Sequence, residues 1–155
     1  NPKGYVAALE LDDGQILTEG PAIVQYLADL KPEHDLAPRA DSWARVRLQE
    51  WLNFITSEIH AGSAPLFNPA LPEEVRAIFR EKLFRQFDYL QATLNEKTYL
   101  TGPSFSVADA YLFTVPGWCR FFSISLERWP VLLAYREMIN ARPAVQAALL
   151  AEASL

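Results

Sequence analysis

Three polar side chains, Asn53, Ser57 and His60, recur at spacings of four and three residues. At about 100° per residue they share one face of a helix. An imidazole in such a stripe can move a proton near neutral pH or hydrogen-bond an anion. The same spacing also suits a polar stripe at a helix–helix or subunit surface, the commoner use of a lone histidine. A second group is Glu19-Gly20-Pro21. Gly20 is acceptable as an N-cap, and proline fits the first helical position, where its missing N–H had no partner. Free N–H groups and the positive end of the dipole make such a start a ready carboxylate site. Taken alone, the local sequence favours an ordinary helix start. Trp118 has Phe113, Phe121 and Phe122 close by in sequence, and Phe67 lies further upstream. Aromatic residues of this kind form either a bundle core, the more frequent case, or the wall of an apolar pocket. Cys119 reads as a small buried hydrophobe rather than a nucleophile. His34 falls in a charged, solvent-facing stretch.

These residues need elements to hold them. Tyr5 to Leu11 alternates in part, with Ala7, Leu9 and Leu11 on one side. Asp12-Asp13-Gly14 supplies a turn, and Gln15-Ile16-Leu17 returns as a short strand. A helix follows from Gly20, with Ile23, Tyr26 and Leu27 as its apolar stripe. Residues 30–40 hold Pro32, Pro38 and several charges and read as a linker. Beyond Asp41 the pattern is helical. Trp43, Val46, Trp51, Phe54, Ile55 and Ile59 recur at helical spacing. Residues 64–72 are a proline-rich break. Pro72-Glu73-Glu74 then opens a long helix with carboxylates at its positive end. Its predicted buried stripe is Val75, Ile78, Phe79, Leu83, Phe87, Leu90 and Leu94. Ser106-Val107-Ala108-Asp109 reads as a capping box with Asp in the place of Glu or Gln. Trp129-Pro130 and Arg142-Pro143 start two more helices. The outline is α+β and mostly α: a hairpin and one helix, a linker, and a bundle of about five helices. A two-stranded hairpin is marginal in water, so it is expected to form the edge of a larger sheet.

The chain has 155 residues, half of them apolar, and a net charge of -5. That composition describes a globular protein. No Lys/Arg block stands out, so nucleic acid is not an expected partner. No apolar run approaches the roughly 20 residues that span a bilayer, so no membrane association is expected. One cysteine excludes an intrachain disulfide and suits a reducing compartment. One Cys with two distant histidines, His34 and His60, cannot make a typical structural zinc site, and no metal is expected.

In order and spacing, several motifs resemble the cytosolic glutathione transferases, and most of all their bacterial beta class. Asn1-Pro2-Lys3-Gly4-Tyr5-Val6 resembles the approach to the third strand. Leu17-Thr18-Glu19-Gly20 and Ala22-Ile23-Val24-Gln25-Tyr26-Leu27 resemble the glutathione-binding turn and helix. Glu50-Trp51-Leu52-Asn53-Phe54 with Glu58-Ile59-His60 resembles the fourth helix, and Ser106 to Tyr111 the family's capping box. The resemblance covers essentially the whole chain. It implies part of a thioredoxin-like, glutathione-binding domain at residues 1–31, a linker at 32–40, and an all-α domain at 41–155. It further implies that the family's opening strand-helix-strand, which carries the main catalytic Cys, Ser or Tyr, lies outside these residues.

The implied function is transfer of glutathione to a hydrophobic electrophile, in the cytoplasm, by a homodimer; the alternative is a non-catalytic binding or assembly module on the same scaffold. Glutathione is the implied co-substrate. The resemblance assigns Val6, Glu19, Gly20, Asn53 and His60 to glutathione, with His60 as an auxiliary catalytic group near its sulfur. Gly20 would take its α-carboxylate and Glu19 its α-ammonium. Trp118 and Phe67 would line the pocket for the co-substrate. Three positions depart from the family pattern: Ala7 stands for a cis-proline, Gly20 for a serine and Ala61 for a lysine. The Val6–Ala7 bond is then either trans, the ordinary state of a non-proline peptide, or a strained cis bond; a trans bond would redirect the Val6 backbone groups.

Overall fold

The computed structural model describes residues 1–154. It begins with strand β1 (Ala8–Glu10), paired antiparallel with β2 (Ile16–Thr18) so that Leu9 faces Leu17. β1 is shorter than the Tyr5–Leu11 run that suggested it, and β2 lies one residue later than the expected Gln15–Leu17. Between them the Leu11 amide donates to the Gln15 carbonyl at 2.8 Å and the Gly14 amide to the Leu11 carbonyl at 2.8 Å. Gly14 adopts φ 83°, the positive value that a residue without Cβ allows at no steric cost. The Val6–Ala7 peptide bond is cis, one of the two states the sequence left open.

Helix α1 (Gly20–Asp29) follows at once. Its N-cap is Glu19 rather than Gly20, which is the first helical residue. The face that packs is Ile23 and Ala28, with Val24 beside them. Tyr26 and Leu27 face outward, because α1 lies against α2 (Trp43–Phe54) and α5 (Val107–Thr114) with the other side of its surface. The linker carries one short 3₁₀ turn at Pro32–His34.

Ser42 caps α2 by accepting the Arg45 amide at 3.1 Å. The helix runs on through a π-helical stretch, Ile55–His60, and a last α turn, α3 (Ala61–Ser63). Its buried residues include a row, Arg45, Leu48, Leu52, Ile55 and Ile59, that repeats every three or four positions, with buried Trp51 beside it. Trp43 and Val46 sit off that repeat; Trp43 is 69% exposed. In α4 (Glu73–Leu94) the stripe is Leu83, Phe87, Leu90 and Leu94, with Val75 and Phe79 half-buried above it. Ile78 lies one position off this row and is 67% exposed. The 3₁₀ segment Val115–Phe122 continues α5, and α6 (Pro130–Asn140) and α7 (Pro143–Glu152) complete the bundle.

The core centres on Leu48, Leu52, Phe87, Leu112, Trp129 and Ile139. Trp129 satisfies its indole N–H by donating to Asp88 at 2.6 Å. One buried carboxylate organises the start of α5. Asp109 accepts the Ser106 amide and hydroxyl, both at 2.8 Å, the Leu100 amide at 2.9 Å and the Tyr135 hydroxyl at 2.7 Å. Every donor that desolvation would penalise there has an acceptor. The capping box read from the sequence is present, and α6 is tied into it through Tyr135.

Candidate functional site

The expected ligand residues lie on two walls. One wall is the turn between β2 and α1. Glu19 has φ 76° and ψ 109°, an unusual backbone for a residue with a side chain, and such outliers gather at ligand-binding sites. Its carbonyl accepts the Ala22 and Ile23 amides at 2.9 and 3.0 Å, closing the first turn of α1. Its carboxylate does not cap the helix; it pairs with Lys3 Nζ at 2.7 Å. No Cβ would crowd Gly20, and nothing lies within 4 Å of the direction a side chain would take there. Val6 precedes this wall and is 96% exposed.

The other wall is the π-helical stretch and the segment after α5. A π turn is rare and often marks a functional position; here its last residue is His60. His60 Nδ1 lies 2.7 Å from the Tyr111 hydroxyl. The Trp118 ring meets the imidazole edge to face at 4.7 Å. Phe67 packs edge to face on Trp118 at 5.7 Å and on Phe122 at 4.6 Å. Both expected pocket residues thus join His60 in one cluster, and Phe67 keeps half its surface open.

Burial by these neighbours holds the His60 pKa below the ordinary imidazole value. Burial raises that of Tyr111; the Thr56 hydroxyl opposes the rise and the Glu19 carboxylate adds to it. Asn53 stands apart. Its side chain donates to the Gln49 carbonyl at 2.9 Å, and Gln49 reaches Gln25 on α1 at 3.2 Å. Asn53, Ser57 and His60 share no side-chain hydrogen bond among the described residues. The π turn has more residues per turn than the α-helix assumed for their common face.

Tyr111 is the residue that sequence reasoning missed. It sits in an apolar helical run, 51 positions from His60, and nothing in its neighbourhood signals the contact. Cys119 is buried, and its thiol pKa is pushed up to about 12 by burial, so it is not a nucleophile near neutral pH. Among the described residues no group of three metal-ligating side chains forms, and no helix is long and apolar enough to cross a membrane.

Alignment with known proteins places this arrangement. Residues 54–143 match the family described as glutathione S-transferase, C-terminal domain. The chain is 44% identical over 152 residues to the glutathione S-transferase GstA of Escherichia coli O157:H7, covering 98% of this chain and 76% of that protein. The chain belongs to the glutathione S-transferase family. Two solved structures agree. A sphingomonad glutathione S-transferase complexed with glutathione is 43% identical, with a TM-score of 0.95, covering 99% of this chain and 76% of that one. A bacterial beta-class glutathione S-transferase from Sphingomonas chungbukensis is 43% identical, with a TM-score of 0.94, covering 98% and 76%. The fold expected from the sequence, a partial thioredoxin-like unit followed by a helical bundle, is the fold of these transferases.

Proposed function

We propose that this transferase binds glutathione between the α1 turn and His60 and transfers it to a hydrophobic electrophile held by Trp118 and Phe67, as a cytoplasmic detoxification enzyme. The observation that carries the reading is the placement of His60 against Trp118, with Phe67 packed on the other edge of the cluster. Gly20 N–H would receive the α-carboxylate of the γ-glutamyl group at the positive end of α1. Glu19 would exchange Lys3 for the α-ammonium. Val6 would pair, strand to strand, with the cysteinyl unit, and Asn53 would add a polar contact from its own or a neighbouring subunit. The sulfur then lies toward His60.

In the reaction the glutathione thiol gives its proton to solvent water, the thiolate attacks the electrophilic carbon, and a C–S bond forms. The leaving group departs with the electrons of its bond to that carbon. The aromatic wall of Trp118 and Phe67 suits a flat apolar co-substrate. A homodimer is part of the same proposal. A groove of about 820 Å³ between α2 and α4, lined by Trp51, Phe54 and Tyr89 with Arg47, Glu50 and Lys97 at its rim, offers a self-association surface away from His60.

The test is conjugation of glutathione to 1-chloro-2,4-dinitrobenzene, followed by its absorbance. Trp118→Ala should raise KM for the electrophile and spare that for glutathione. Glu19→Gln should raise KM for glutathione about 10- to 100-fold, the worth of one charge-assisted hydrogen bond. Equal effects of both variants on both substrates would sink the two-wall assignment.

A further inference from the structure

We propose that Tyr111 is the positioning residue that fixes the tautomer of His60, donating its hydroxyl proton to Nδ1 so that Nε2–H is the donor the ring offers to a ligand. The contact is short, 2.7 Å, and joins two elements that are far apart in sequence, α5 and the π-helical stretch. Two proton arrangements fit that distance. In one the phenol donates to the imidazole; in the other Nδ1–H donates to the phenol oxygen. A phenol is the stronger donor of the two, and an imidazole lone pair is the stronger acceptor. The first arrangement therefore makes the stronger bond. The Thr56 hydroxyl, which lies close enough to lower the Tyr111 pKa, donates to the Leu52 carbonyl at 2.7 Å while Tyr111 is neutral. The edge-to-face contact with Trp118 holds the imidazole plane in place.

The surroundings keep both partners uncharged. Partial burial lowers the His60 pKa, and burial, aided by Glu19, raises that of Tyr111. A neutral imidazole carries one N–H. With Nδ1 engaged as acceptor, that proton is on Nε2. A ring so fixed stabilises an anion by donating to it; it is not poised to take a proton through Nδ1. In the glutathione reading, on which only the identity of the anion rests, His60 would hydrogen-bond the thiolate rather than act as the base that forms it. Trp118 after α5 packs on the imidazole, and Thr56 on the π-helical stretch lies beside Tyr111.

The experiment is a long-range 1H–15N correlation spectrum of the histidine rings of the uniformly labelled protein above pH 8. There are two histidines, and His60→Gln removes one set of signals, which assigns the other to His34. His60 should be wholly the Nε2–H tautomer, while His34 shows the mixture of an exposed ring. Tyr111→Phe should turn His60 into such a mixture and lower kcat about tenfold, with KM for glutathione changed less than about twofold, the loss of one hydrogen bond. Tyr111→Leu, which fills the space without a hydroxyl, is the second variant should Tyr111→Phe fold poorly. An Nδ1–H ring in the unmodified protein overturns the proposal. So does a His60 tautomer that stays wholly Nε2–H in a folded variant lacking the hydroxyl. The spectrum needs no glutathione. A protein with this tautomer that binds no glutathione would remove the proposed function and leave the role of Tyr111 standing.

Discussion

In the bundle, Leu48, Leu52, Phe87, Leu112 and Ile139 are fully out of water, and the Asp109 carboxylate answers four donors in one buried network. In the hairpin, each strand has three residues, and Tyr5 and Val6 just before it face solvent. The proposed ligand groups are divided between these regions. His60 and Trp118 stand on the well-packed bundle, while Val6, Glu19 and Gly20 stand on or beside the hairpin. The bundle thus supplies a fixed wall and the hairpin an adjustable one. Their junction is an ion pair: buried Arg45 on α2 reaches both carboxylate oxygens of Asp29 on α1 and donates to the Pro38 carbonyl at 2.7 Å.

The comparison is broken most severely at Asp109. Asp109→Ala leaves the Leu100 and Ser106 amides and the Tyr135 hydroxyl buried without their acceptor, and should cost about 4 kcal/mol. Urea unfolding measures it; a loss under about 1 kcal/mol would mean that the network does not hold the bundle. The difference between the regions should also appear in amide hydrogen exchange. Leu9 and Leu17 should exchange at least about a hundredfold faster than Leu112 and Ile139, because few buried contacts oppose local opening of the hairpin. Uniform protection would erase the distinction. At the junction, Asp29→Ala strands a buried guanidinium that keeps one carbonyl partner. A cost of about 2 kcal/mol is expected, less than for a fully buried pair because Asp29 is half-exposed. The smallest effect is at His60. Its native pKa is depressed, so between that value and the unfolded value of roughly 6.5 the unfolded chain binds more protons. Its contribution to stability is complete above the unfolded pKa and is lost as pH falls through the native one. His60→Gln should flatten the acid side of the stability–pH curve; an unchanged slope would show that burial of His60 is not felt.

The bundle was legible because its signals are local. Pro72-Glu73-Glu74, Ser106 to Asp109, Trp129-Pro130 and Arg142-Pro143 each open a helix where the sequence places one. Stripes were less legible. Ile78, Trp43, Tyr26 and Leu27 are apolar, but which apolar residues are covered depends on the direction from which neighbouring helices approach. The site was half legible. The start of α1, the histidine, Trp118 and Phe67 were singled out by the family resemblance; their types and spacing alone favoured an ordinary helix start, a polar stripe and a core. The pairing of His60 with Tyr111 was not legible, because it spans the bundle and rests on tertiary packing. The π turn has no local signature in Ile55–His60.

The most direct measurement is titration of glutathione into the 15N-labelled protein, followed by amide chemical shifts. The account predicts saturable shifts centred on Glu19, Gly20 and His60, weakened about 10- to 100-fold in affinity by Glu19→Gln. Saturable shifts confined to the groove of Trp51, Phe54 and Tyr89, or no shifts at millimolar glutathione, would contradict it.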